Sequence, residues 1–226
     1  MKNITLLLLL LTTASYHSQI TMFSDSPNMN TVLFKNKVYD MENKEKNIAG
    51  TAYIYQDYVV ATIDGIDGTI PVRYNAYKDD IEVKGEDGNA YVIPREEKFS
   101  SIKIIPTNEM VVLKKYTDNG QPYEGYLFLI TTKNNFSFYK KEKTEFHDFQ
   151  KARNSYAEDQ PARFTALKPR FFIQIKDGEI TEFPKNKKKL IEFLPEKKDA
   201  IEAYLKKNKV DFSSEKDLKN LINAIG

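Results

Sequence analysis

Asp80 and Glu82 stand two positions apart in a run that alternates polar and apolar residues, Asp80-Ile81-Glu82-Val83-Lys84. On a β-strand this spacing sets both carboxylates on one face, roughly 6–7 Å apart along the chain. That is in the general range of the acid/base pair of a glycosidase, so the two are candidate catalytic residues for a carboxylate-dependent hydrolase. The plainer reading is a solvated strand face, because no second feature supports catalysis. Just upstream, Arg73, Tyr74, Asn75 and Tyr77 crowd a strand-to-strand corner, where Asn can adopt a left-handed backbone or bond its own backbone. Stacked Tyr74 and Tyr77, with Arg73 and Asn75, form a candidate contact for a sugar or a peptide. The same four residues also suit a purely structural corner. Asp64-Gly65-Ile66-Asp67-Gly68 has the composition of a calcium loop, with Asp64 and Asp67 as its candidate ligands. It lacks the D-x-D-x-D-G spacing and the later Glu, and tandem Asp-Gly pairs also build a wide hairpin loop.

Residue types exclude several other chemistries. The chain has no cysteine, which removes a thiol nucleophile, a lipoprotein anchor, an iron–sulfur cluster and a cysteine zinc site. Its two histidines are His17 and His147, too few for a histidine metal cluster. A Ser–His–Asp arrangement around His147 would need a serine elbow, and no G-x-S-x-G is present. No cofactor is implied. Lys187-Lys188-Lys189, Lys197-Lys198 and Lys206-Lys207 flank apolar helical positions, where their stems cover apolar surface. Nucleic acid is not an expected partner.

Lys2, then Leu6 to Leu11, then Thr12, Thr13 and Ala14 have the layout of a secretory signal peptide. The expected leader is 1–19, with cleavage after Ala14 or as late as Gln19. Losing Lys2 takes the 34 basic residues to 33, against 32 acidic ones, so no long-range field gathers a polyanion. A thiol-free chain sent to an oxidising compartment must be held by apolar burial, and 14 Tyr and 14 Phe supply it. No second long apolar run follows, so no transmembrane helix is expected after processing.

The elements that must position these residues read as short strands followed by short helices. Strands are expected at Thr31 to Tyr39, Ala52 to Ala61, Ile70 to Tyr74, 81–84 and Ala90 to Ile93, with a primed turn at Asp87-Gly88. Ile102 to Ile105, Met110 to Tyr116, Tyr126 to Thr132, Phe136 to Lys140, Arg170 to Lys176 and Glu179 to Phe183 follow. Tyr116 to Gly125 reads as a loop. Lys141 to Pro161 reads as an irregular excursion or a frayed helix around His147 to Tyr156. Asp177-Gly178 reads as a second primed turn. After Pro184, the spacings Leu190/Phe193/Leu194, Ile201/Tyr204/Leu205 and Leu218/Leu221/Ile222/Ile225 predict three amphipathic helices, the last capped by Ser213 or Ser214. The fold class is α+β: a mainly antiparallel meander of short strands over 20–184, with a helical tail over 185–226 packed on it.

Arg73-Tyr74-Asn75 running into Asp79-Asp80-Ile81-Glu82-Val83, with Asn186 to Leu194, Ile201 to Asn208 and Glu215 to Ile222, resembles a group of uncharacterised secreted or envelope proteins of the Bacteroidota. The resemblance implies export and a β-rich body with a helical tail, and transfers no active site. The expected function is an exported, non-enzymatic binding or envelope-scaffolding protein, secreted or periplasmic, with an envelope protein, glycan or peptide as partner. A secreted glycosidase-like hydrolase using Asp80 and Glu82, or a lipid carrier, are the alternatives.

Overall fold

The computed structural model describes residues 48–226 apart from 86 and 155. The leader, its cleavage site and the strand expected at Thr31 to Tyr39 lie outside the described residues. The strands are β1 Val59–Ile63, β2 Ile70–Asn75, β3 Asp80–Lys84, β4 Ala90–Val92, β5 Ser101–Ile104, β6 Glu109–Asp118, β7 Gln121–Lys133, β8 Phe136–Lys141, β9 Thr144–His147, β10 Arg163–Ala166, β11 Arg170–Ile175 and β12 Ile180–Glu182. The helices are α1 Lys187–Phe193, α2 Lys198–Lys207 and α3 Glu215–Ile225. No helix among the described residues is long and apolar enough to cross a membrane.

The body is β-rich with helices at its C-terminal end, but the sheet is not a simple meander. Ten strands run in the order β12-β11-β8-β7-β6-β5-β1-β2-β3-β4, and β12 also pairs with β6. Five strands therefore close into a barrel. An odd number of strands that alternate in direction must meet in parallel where the ring closes, and β12 meets β6 in parallel at Thr181 and Thr117. The ten-residue β6 makes this closure feasible. Its first half pairs with β5, from Glu109 to Val112, and its second half is left to reach β12. At the seam Arg170 donates to Asp118 at 2.6 Å and pairs with Glu182 at 2.9 Å.

Three apolar clusters follow from this layout. Val112, Tyr116, Leu127, Tyr139, Phe172 and Ile180 fill the barrel. Strand alternation sends Tyr126 and Phe128 of β7 outward, where they pack with β1 to β5 curling over them. The remaining outer face, built on Phe136, Phe138, Phe171 and Ile173, is covered by α1 to α3 through Leu190, Ile201, Leu218 and Leu221. Asn186 caps α1 by accepting from Lys189 N at 3.0 Å, and Ser214 caps α3 by accepting from Asp217 N at 3.3 Å.

Several local expectations are corrected. The segment Tyr116 to Gly125 is not a loop, because β6 and β7 continue to a two-residue turn at Asn119-Gly120, both left-handed (φ 50° and 76°). The 141–161 stretch contains β9, which pairs with the unanticipated β10 as a separate ribbon. At the β11–β12 turn the left-handed residue is Lys176 (φ 54°). The strand expected over Ala52 to Ala61 begins only at Val59. Tyr53 faces Asn75 and Val59 faces Val72, so six steps on one side span three on the other. The surplus residues arch away from β2, and that arch matters for the site.

Candidate functional site

The β2–β3 hairpin places Arg73 directly opposite Glu82. The face they share was expected to be solvated. Instead Glu82 is 1% exposed. A buried carboxylate needs partners, and it has three. Arg73 Nη2 lies 3.0 Å from Oε2, Asn75 Nδ2 donates to Oε1 at 3.0 Å, and Tyr53 Oη donates to Oε1 at 3.4 Å. The arch supplies the cover. Ile54 N donates to Tyr74 O at 3.2 Å and Ala76 N donates to Ala52 O at 2.8 Å, which holds the start of the arch against the end of β2. The Arg73 guanidinium then lies 3.5 Å from the centre of the Tyr53 ring and 4.6 Å from that of Tyr58. Burial lowers the Arg73 pKa, but the bond to Glu82 and the neighbouring Tyr53 and Tyr58 more than reverse this, so the guanidinium stays charged.

Around this floor lies an open cleft of about 440 Å³. One wall is the arch, with Tyr53, Gln56 and Tyr58. The opposite wall is aromatic. Phe146 and Phe164 face each other across the β9–β10 ribbon with ring centres 5.1 Å apart, and Tyr77 packs on them at 6.3 and 5.5 Å. The ribbon is held there by Thr144 N donating to Ala76 O at 3.2 Å and by Phe164 N donating to Ala49 O at 2.8 Å. Gly50 makes that approach feasible: its φ is 78°, and a Cβ would collide with the Phe164 carbonyl. Lys78, Lys84 and Asn89 stand at the rim.

Of the residues singled out from sequence, Arg73, Asn75 and Tyr77 line this cleft together with Glu82. Asn75 Oδ1 also accepts from the backbone N–H groups of Tyr77 and Lys78 at 3.2 and 3.0 Å, shaping the turn. Tyr74 is elsewhere. It is one residue out of phase, so it points into the core and packs edge-on against Tyr126 and Phe128 at 6.3 and 5.5 Å. It does not stack with Tyr77. Asp80 and Glu82 go to different partners as well: Asp80 lies 3.4 Å from Arg95, outside the cleft lining. Burial raises the Asp80 pKa against the opposing pull of Arg95. The Glu82 oxygens are occupied by three donors within the cluster. Asp64 and Asp67 are exposed in the turn after β1. Among the described residues there is no group of three or more His, Cys, Asp or Glu suited to a metal ion. His147 pairs in register with Arg163 on the ribbon.

Behind the cleft, a second polar cluster anchors the turn that carries Tyr77 and Lys78. Asp79, left-handed at φ 61°, pairs with Lys141 at 2.6 Å and accepts from Tyr74 Oη at 2.8 Å and Tyr126 N at 3.2 Å. Lys141 also donates to Tyr126 O at 2.9 Å. Burial lowers the Lys141 pKa despite Asp79. Burial, with Asp79 adding to it, pushes the Tyr74 hydroxyl well up. This cluster ties the hairpin to β7 and β8.

Sequence reasoning missed Tyr53 and Tyr58 as site residues, reading that stretch as a strand, and missed Phe164. The density of tyrosines at 53, 55 and 58 was the available signal. The chain matches no protein-family model, no curated protein and no solved structure.

Proposed function

We propose that this chain is an exported binding protein of the cell envelope, without catalytic activity, whose ligand site is the cleft over Arg73 and Glu82. The observation that carries the reading is the buried Arg73–Glu82–Asn75–Tyr53 cluster at the cleft floor. It presents rings and amides in fixed positions, as a preorganised binding site requires. Its one buried carboxylate is committed to structure. The filled barrel supports the cleft, and not the barrel interior, as the place where a ligand sits. Export rests on the sequence of 1–19 alone, which has the layout of a signal peptide.

The test is calorimetric titration of the purified protein with glycan and peptide panels, alongside product analysis on the same panels. The expected result is saturable binding that Tyr77→Ala weakens, with substrate recovered intact. Release of hydrolysis products, abolished in Asp80→Asn or Glu82→Gln, would overturn it in favour of a hydrolase. N-terminal sequencing of the native protein checks export, and retention of Met1 would remove that part of the reading.

A further inference from the structure

We infer that the cleft takes an acidic saccharide, a chain of sugar rings carrying carboxylate or sulfate groups. The inference rests on the reading of the cleft as the ligand site and adds the ligand's chemistry to it. Sugar rings present C–H faces that pack on aromatic rings and hydroxyls that bond amides and phenols. The cleft offers both at once. Tyr77 is 42% exposed beside Phe164, and Gln56, Asn89 and the tyrosine hydroxyls stand within the same lining. An extended peptide would look for an open strand edge. The floor strands have none, since β2 pairs with β1 and β3, and β3 with β2 and β4; the edge strand β4 is three residues long and reaches the lining through Ala90 alone, too short a template for an extended peptide.

The charge at the rim decides the kind of sugar. Among the described residues, the lining carries Arg73, Lys78 and Lys84 against Glu82. Arg73 and Glu82 neutralise each other at the floor, so the two lysines leave the cleft positive, although the chain as a whole is close to neutral. Among the described residues, neither Lys78 nor Lys84 has a carboxylate within the 4.0 Å of an ion pair. The described carboxylates nearest in sequence are engaged elsewhere, Asp79 with Lys141, Asp80 with Arg95, Glu82 with Arg73, and Asp87 with Tyr91 and Asn89, although the Lys78 charge also acts on Asp80 from beyond ion-pair distance. Two ammonium groups with no ion pair among the described residues, flanking aromatic walls, suit a ligand with repeated negative charges.

The experiment compares a uronic-acid tetrasaccharide with the same molecule as its uncharged methyl ester, titrated into the full chain at low and high salt. The acid form should bind about tenfold tighter at low salt, and salt should shrink the difference because rim charges are screened. Lys78→Gln/Lys84→Gln should remove that preference, bringing the acid and ester affinities to within about twofold of each other. Equal or tighter binding of the ester overturns the inference while leaving the cleft as the ligand site. Binding of neither form to folded protein also overturns it. Failure of the cleft itself has a different signature: a ligand from the wider panels whose affinity Tyr77→Ala does not alter.

Discussion

Replacing Glu82 by glutamine removes one charge from a pair that is almost wholly out of water. The guanidinium and carboxylate stand 3.0 Å apart, with side chains 9% and 1% exposed. At an effective dielectric of 20 their attraction is about 5 kcal/mol. Part of this is returned, because the carboxylate no longer has to be desolvated and the amide keeps a hydrogen bond. The guanidinium, however, stays buried between Tyr53 and Tyr58 without the Glu82 charge. The expected loss is about 3 kcal/mol, the lower end for breaking a buried pair. The joint change Arg73→Met/Glu82→Leu removes both charges and should cost less than the sum of the single changes, leaving a coupling of about 2 kcal/mol in a double-mutant cycle. Urea denaturation of the parent, Arg73→Met, Glu82→Leu and the joint variant, with Glu82→Gln alongside them, followed by circular dichroism, measures both quantities. A Glu82→Gln protein within about 0.5 kcal/mol of the parent would refute the idea that this pair holds the cleft floor.

Three further outcomes follow from other parts of the fold. Gly125→Ala should cost about 1–3 kcal/mol in the same denaturation assay, because a new Cβ would collide with Asp79 Oδ2 and come within 3.2 Å of Lys141 Nζ. Leu221→Ala, fully buried in α3 against the barrel's outer face, should cost about 2–5 kcal/mol and lower the thermal midpoint. Alkaline titration should unfold the protein above pH 10. Burial, with Glu109 adding to it for Tyr55, pushes Tyr55 and Tyr116 up to about 12, and burial raises Tyr74 as well. With folded values above the unfolded one, the folded state holds more protons, so stability is full below pH 10 and falls as pH rises toward 12. Lys141 works in the opposite sense: its folded value is lowered, so its contribution rises as pH approaches 10.5. Tyrosinate absorbance that titrates near pH 10 with no loss of structure would count against this.

Much of the local structure was legible. Asp87-Gly88 turned where expected, with Gly88 at φ 77°, because a positive φ is a property of the backbone at that residue. The C-terminal helices were legible because their apolar spacing recurs over several turns and Asn186 and Ser214 cap them. Asn119-Gly120 is the same kind of local signal. It was lost among polar neighbours, because outer positions of a long hairpin need not be apolar. The candidate cleft was legible only in part. Arg73, Asn75 and Tyr77 stand on one hairpin and were found together, whereas Tyr53 lies 29 positions from the Glu82 it bonds, and Phe164 arrives on a separate ribbon.

Taken alone, the sequence determined many of the extended segments, the turn at Asp87-Gly88 and the C-terminal helices, since those follow from the φ/ψ preferences and periodicity of neighbouring residues. Only the tertiary structure decided which face of each strand meets water. Alternation puts Arg73 and Glu82 on one side of the hairpin and Tyr74 on the other. It does not say that an arch of tyrosines covers the first side, or that β7 and Lys141 cover the second. Burial is a relation between layers brought together from distant parts of the chain. It turned an apparently wet carboxylate into the buried centre of the cleft floor, and it closed five strands into a barrel through a single parallel contact.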